Sequence, residues 1–215
     1  MGLFEPANEK TGGHEGGYSK NPNDRGGETI FGIARKFWGD WEGWSILDTI
    51  KIGTGVNTKE ERRELTRLLK ANTRFMGMVD SFYEENFFHK YHLDIIDSQP
   101  IVEVTYDILV NGGRPFTWMQ ELLNIQNRQE KDWDDITVDG KFGNMSIKTL
   151  NDVCGLPKKY DFTSEFILLD KLLSYRDDYF KDITLGREEN EDFYNGWSIR
   201  TIKQRIEYYR FYGVV

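Results

Sequence analysis

GGHEGGYSKNPNDRGGETIFGI, residues 12–33, interrupts a chain that otherwise reads as helical. A glycine-rich loop that carries acids suits a phosphate cradle, a calcium loop, a glycosidase active site or plain turns. The phosphate reading fails, because the chain has no G-x-x-x-x-G-K-[ST] and no strand followed by G-x-G-x-x-G. A calcium loop begun at Asn21 puts Gly32 at its twelfth position, and one begun at Asp135 puts Ser146 there. Both lack the bidentate glutamate that such a loop needs.

Spacing favours the glycosidase reading over plain turns. Leu3, Phe4, Ala7 and Thr11 recur at helical spacing and predict a helix over residues 3–14 that ends at Gly12–Gly17. Glu15 follows that helix, where the negative end of the macrodipole disfavours an ionised carboxyl. Asp24 lies further on in a polar stretch that keeps it ionised. Two acids in contrasting surroundings divide into proton donor and base, the pairing that glycoside hydrolysis uses. Thr29 stands where its hydroxyl can hold the attacking water, and the glycines let backbone approach a sugar closely.

Outward from the loop the apolar residues recur at helical spacing. FGIARKFWGDWEGWSILDTI (31–50) predicts one or two short helices carrying Phe37, Trp38 and Trp41. GTGVNT (53–58) is a turn, with Asn57 or Thr58 as N-cap of KEERRELTRLLKAN (59–72). TRFMGMVDSFYEENFFHKYH (73–92) predicts an amphipathic helix with Phe75, Met78, Val79, Phe82, Tyr83 and Phe87 on its apolar side. QPIVEVTYDILVNGG (99–113) predicts another, stopped by Gly112–Gly113, and FTWMQELLNIQNRQ (116–129) a third. ITVDGKFGNMSIKTLNDVCG (136–155) is a turn leading into a short helix, and long helices close the chain near 162–181 and 191–211. The last carries Trp197, Ile202, Ile206 and Tyr209 on one stripe. The fold class is mainly α, with any strand confined to the N-terminal loop.

Composition bounds the function. With 38% hydrophobic and 30% charged residues the chain has the make-up of a folded soluble protein. A net charge of −8 disfavours nucleic acid, which needs a basic footprint, and leaves a local basic patch as the way to hold an anionic surface. Aromatics reach 14%, which serves either a core or platforms for sugars. Cys154 is the only cysteine, so no internal disulfide forms, and it reads as a small buried hydrophobe. No basic leader with an apolar run opens the sequence and no stretch approaches a membrane span. Synthesis in the cytoplasm without a signal peptide is therefore expected.

The segment HEGGYSKNPNDRGGETIFGI resembles the signature of the N-acetylmuramidases of glycoside hydrolase family 108. The matching positions are Glu15, Gly16, Gly17, Tyr18, Pro22, Asp24, Gly26, Gly27, Thr29, Gly32 and Ile33. YDILVNGG is similar to the family's Asp-x-x-Val-Asn-x-Gly segment at Asp107, Val110, Asn111 and Gly113. VDGKFGNMS resembles a turn of the associated peptidoglycan-binding region, with Ser146 in place of Thr, and FYNGWSIR its Gly-Trp-x-x-Arg segment at Gly196, Trp197 and Arg200. The family's usual Tyr-Trp pair is Phe87–Phe88 here.

The resemblance implies a lysozyme-like, two-lobed helical fold with a small irregular or hairpin segment in the N-terminal lobe. It implies cleavage of the β-1,4 bond between N-acetylmuramic acid and N-acetylglucosamine, as in phage endolysins and secretion-linked wall hydrolases. Glu15 takes the general acid's role, with Asp24 and Thr29 positioning or activating water. The Glu–Asp–Thr order also resembles phage lysozymes, whose last step is one residue longer. Residues 1–96 would form the catalytic lobe, and residues 97–215 a helical peptidoglycan-binding region completing the cleft. Peptidoglycan is the expected partner, with a holin-like membrane protein for export to the periplasm or wall, no membrane insertion and no cofactor.

Other candidates stand beside simpler readings. His89 and His92 have helical metal spacing but lack a third ligand, so solvated or capping histidines are expected. Tyr18 is a candidate for substrate binding or for packing against the loop, and Asn111 for substrate binding or for capping its helix. Trp38 and Trp41 suit a sugar platform, with at least one of them in the core. A non-hydrolytic peptidoglycan binder and a lytic transglycosylase are the rival functions.

Overall fold

The computed structural model describes residues 1–12, 16–20, 26–157 and 162–215. Among these, nine α-helices accompany one three-stranded antiparallel sheet near the N-terminus, as the mainly α reading expects. No helix of the described residues is long and apolar enough to cross a membrane. The chain divides into two compact units, residues 8–86 and residues 1–7 with 87–215. Helix α1 (Phe4–Thr11) runs across the first boundary, and Gly12, with φ +68°, follows its end.

The unit of residues 8–86 holds the sheet. Strands β1 (Ser19–Lys20), β2 (Glu28–Ile30) and β3 (Ile33–Ala34) pair in sequence order, Ser19 with Thr29 and Ile30 with Ile33. Sequence spacing predicts helix from Phe31 onward, and the structure differs. Phe31 and Gly32 both adopt positive φ, +46° and +82°, which reverses the chain in a two-residue hairpin turn. Such φ values are rare for a bulky residue, so this turn has to be held by its surroundings. Tyr83 supplies that hold, its hydroxyl donating to the Phe31 carbonyl at 2.7 Å in the interior. Burial raises the Tyr83 phenol to about 12, so it stays a donor at any physiological pH.

Helix begins only at α2 (Gly43–Thr54), followed by α3 (Lys59–Ala71) and α4 (Thr73–Tyr83). Thr58 caps α3 in a reciprocal capping box with Glu61, and Asn72 caps α4 through the Phe75 N–H. Leu47, Leu65, Leu69, Phe75 and Val79 fill the core beneath Ile30 and Phe31. The helix expected over 73–92 stops at Tyr83, and a π-helical turn follows over Glu84–Phe88.

In the other unit that wider turn delivers Phe88 to an edge-on cluster with Phe4 and Tyr106. Short 3₁₀ turns then lead to α5 (Gln99–Asn111), α6 (Pro115–Gln126), α7 (Asn144–Cys154), α8 (Ser164–Leu185) and α9 (Glu191–Phe211). Eight consecutive residues of α5, Ile101 to Ile108, are buried, so the helix is surrounded on all sides. Its polar side chains recur every fourth residue. Glu103 accepts from the Tyr208 hydroxyl at 2.7 Å and from Gln99 at 3.1 Å. Asp107 receives Arg200 at 2.8 Å and the fully buried Arg176 at 2.5 Å.

The α9 stripe divides, with Trp197 and Tyr209 half-buried and its two isoleucines at the surface. Ile202 and Ile206 are exposed, whereas Thr201 and Tyr208 face inward. Glu103 and Asp107 on α5 draw Tyr208 and Arg200 inward, Gln204 accepts from Arg176 on α8 at 2.8 Å, and the isoleucines turn outward as a consequence. An amide clamp organises residues 135–141. Gln120 Oε1 accepts from the Asp139 and Gly140 N–H groups, and Asn124 exchanges two hydrogen bonds with Ile136. Asn127 donates to Asp135 at 2.6 Å. All three amides lie on or next to α6 at helical spacing.

Candidate active site

Glu15 and Asp24 lie outside the described residues. The frame that carries their segment is described. β2 sends alternate side chains to opposite faces of the sheet. Glu28 and Ile30 share one face, and Thr29 projects from the other. The Thr29 hydroxyl is buried and has no hydrogen-bond partner among the described residues, while its residue as a whole is half-buried. A buried hydroxyl without a partner is costly unless a ligand or water completes it.

On the opposite face Glu28 is the hub of an ionic network that joins the sheet to α2. Its carboxylate accepts from the Tyr18 hydroxyl, Lys51 and Arg35, each at 2.7 Å. Arg35 also reaches Asp48 at 2.6 Å and lies 4.6 Å over the Trp44 ring. Burial pushes the Glu28 carboxyl up, but the bonds from Lys51 and Tyr18 and the charges of Lys51 and Arg35 outweigh it. Glu28 is thus held below its ordinary value, as an ionised anchor. Burial and the bond to Glu28 push the Tyr18 phenol well above its ordinary range.

The sequence left Glu28 without a role. The signal was present, since a reversal at Phe31–Gly32 makes ETIFGIA a hairpin and places Glu28 inward beside Ile30. Tyr18, read as a substrate contact or a packing residue, is buried, with its hydroxyl on Glu28. Its backbone N–H donates to Thr66 Oγ1 at 2.9 Å. The backbone on either side of the Asp24 segment is thereby tied down, through Tyr18 on β1 and Glu28 on β2.

Trp38 and Trp41 are half-buried in a cluster with Trp44, Phe75 and Phe82. Together with exposed Phe37 they line a shallow groove of about 270 Å³. Asn111 belongs to the other unit. Its amide donates to the carbonyl and the carboxylate of Asp107 at 3.1 and 3.0 Å. Asp107 thereby brings Asn111 together with Arg200, so two motif segments far apart in sequence meet at one carboxylate. His89 lies 4.0 Å from Asp94, His92 caps a short turn at φ +56°, and no third ligand joins them among the described residues.

A second groove, of about 350 Å³, opens beside the backbone of Gly16 and Gly17. Its far wall is α3, which contributes Lys59, Arg62, Arg63 and Lys70.

Comparison with known proteins divides the chain at residue 113, within the second structural unit and not at its boundary. Residues 8–113 match the family described as glycosyl hydrolase 108, and residues 114–202 match a predicted peptidoglycan domain. The structure of Brucella abortus SagA is similar over 95% of this chain and 92% of that one, at 21% identity and a TM-score of 0.57, a likeness of fold. No curated protein matches the chain.

Proposed function

The chain belongs to the glycosyl hydrolase 108 family through residues 8–113 and carries a predicted peptidoglycan domain over residues 114–202, and from that premise we propose that it is an N-acetylmuramidase. The observation that carries the reading is the family match itself, whose span encloses Glu15, Asp24 and Thr29. The bond cut is the β-1,4 link from N-acetylmuramic acid to N-acetylglucosamine. Glu15 protonates the glycosidic oxygen as the bond to the anomeric carbon breaks. Water adds its oxygen to that carbon and passes its proton to Asp24, leaving a reducing muramic acid end.

The unpartnered Thr29 hydroxyl supports a place for that water. Tyr18 and Asn111 enter the same proposal as residues that shape the sugar-binding surface of their respective units, Tyr18 by fixing the strand before the Asp24 segment and Asn111 from the end of α5. Residues 114–202 hold the wall polymer.

The test is Glu15→Gln. Removing a general acid costs about 10²–10⁴-fold in rate. The variant should keep the parent's helical circular dichroism and lose at least about 100-fold in release of reducing ends from purified peptidoglycan. Clearance at the parent rate would overturn the assignment of Glu15. Mass spectrometry of the parent's products should find reducing muramic acid ends, and 1,6-anhydro ends would make the enzyme a transglycosylase instead.

A further inference from the structure

We propose that the groove between Gly16–Gly17 and α3 binds the carboxylates of the peptide stem carried by the glycan strand. The observation behind it is a cluster of four cations lining one groove in a chain of net charge −8. The helical repeat puts Lys59, Arg62, Arg63 and Lys70 on one side of α3, and Leu65 and Leu69 on the buried side. Two of the helix's three acids, all but the exposed Glu60, are committed elsewhere. Glu61 closes the capping box, and Glu64 holds Arg67 through two hydrogen bonds of 2.7 and 2.6 Å.

None of the four groove cations makes an ion pair among the described residues. Arg62 is half-buried and fixed through Nη1 to the Val56 and Asn57 carbonyls at 3.0 and 3.2 Å. That leaves the rest of its guanidinium edge for a ligand. Lys70 rests 5.8 Å from the Phe31 ring, while Lys59 and Arg63 extend into solvent.

Like charges gathered along one wall raise the local concentration of anions, and a guanidinium edge matches a carboxylate in two parallel bonds. The opposite wall is bare backbone at Gly16 and Gly17. A Cβ on Gly17 would press against Thr66, the residue that accepts from the Tyr18 N–H. The groove is therefore kept open for something that lies along the chain directly after Glu15. A peptidoglycan strand bears its anionic charge on its peptide stem. Its sugars are neutral apart from the lactyl ether, which is amide-linked to the stem, and the stem carries free carboxylates at its glutamyl residue and its C-terminus. The choice of occupant rests on the muramidase reading. The existence of an anion groove does not.

The test uses the full chain, two soluble probes and one double variant. The probes are a disaccharide-tetrapeptide and the same disaccharide without peptide, titrated by calorimetry at low and at physiological salt. The variant is Lys59→Gln with Arg63→Gln, two exposed side chains that make no hydrogen bond or ion pair among the described residues. The parent should bind the peptide-bearing probe at least tenfold more tightly than the bare one. That ratio should fall with salt, and in the variant it should collapse to near one.

A ratio near one in the parent overturns the inference, as does an unchanged ratio in the variant. Tighter binding of a polyphosphate than of the disaccharide-tetrapeptide overturns the occupant. Binding requires no turnover, so the two readings separate cleanly. A chain that binds stems through this groove yet releases no reducing ends refutes the hydrolytic reading alone. One that cleaves bare and peptide-bearing strands with equal KM refutes the groove alone.

Discussion

Replacing Glu28 with glutamine keeps the shape of the hub and removes its charge. Its side chain is 11% exposed and those of Arg35 and Lys51 are 31% and 25% exposed, so the network is neither a surface pair nor a dry one. Hydrogen bonds to a charged group contribute about 1.5–3 kcal/mol each. The amide retains an acceptor for the Tyr18 hydroxyl, so that bond survives in weaker form. Two cation bonds are lost, each reduced by the partial exposure of its donor. The expected cost is about 2–3 kcal/mol, which for a chain of this size lowers Tm by about 5–10 °C.

Differential scanning calorimetry at pH 7 measures that shift. A double-mutant cycle with Lys51→Met should return a coupling above about 1 kcal/mol. The pH dependence carries a sign. Glu28 is depressed in the folded state from its ordinary 4.5. Its contribution is complete above about 4.5 and is lost as pH falls through the lower folded value. The parent and Glu28→Gln melting curves should therefore converge on acidification and stay apart from pH 6 upward. A variant that melts with the parent at pH 7, or a coupling below about 0.3 kcal/mol, would refute the view of Glu28 as a structural anchor.

Gly32→Ala should destabilise the N-terminal unit by about 2–4 kcal/mol in urea titration. It places a Cβ at φ +82° against the Tyr83 hydroxyl and disturbs a buried hydrogen bond. Asp107→Asn should cost about 3–5 kcal/mol, because Arg176 is fully buried and its Nε and Nη2 already find no acceptor among the described residues. A denaturant midpoint within error of the parent would count against that ion pair. Burial lifts the Cys154 thiol to about 12. Its labelling by iodoacetamide at pH 8 should run about a thousandfold slower than that of an ordinary thiol with a pKa of about 8.5, and approach it only on unfolding.

The sequence was most legible where one local rule decided the outcome. Thr58 and Glu61 state a capping box within four residues, and α3 begins there. Gly112 and Gly113 end α5 as expected, with φ of +94° and +150°. Legibility failed where a distant partner decided. The turn at Phe31–Gly32 depends on Tyr83, 52 residues away. The inward face of α9 is chosen by Glu103 and Asp107 on α5, about a hundred residues earlier, against the pull of its own isoleucines. The π-helical turn at Glu84–Phe88 follows from where Phe88 finds aromatic neighbours, which no periodicity records. At the candidate site the family signature picked out Thr29. It passed over Glu28, the adjacent residue, whose importance comes from the sheet's alternation and two cations on other elements.

The amide clamp on α6 has a consequence for how this region can drift in sequence. Gln120, Asn124 and Asn127 read the backbone of residues 135–141 and its anchoring carboxylates, not the side chains at its tip. Thr137, Val138 and Lys141 are exposed and free to be exchanged for almost any residue. The three amides are not, because each supplies a donor and an acceptor that no aliphatic or acidic neighbour in the genetic code reproduces. Random mutagenesis of residues 115–145 should therefore recover a tolerant loop beside an intolerant helix, the reverse of the usual expectation that loops hold a fold's identity and helices its filler.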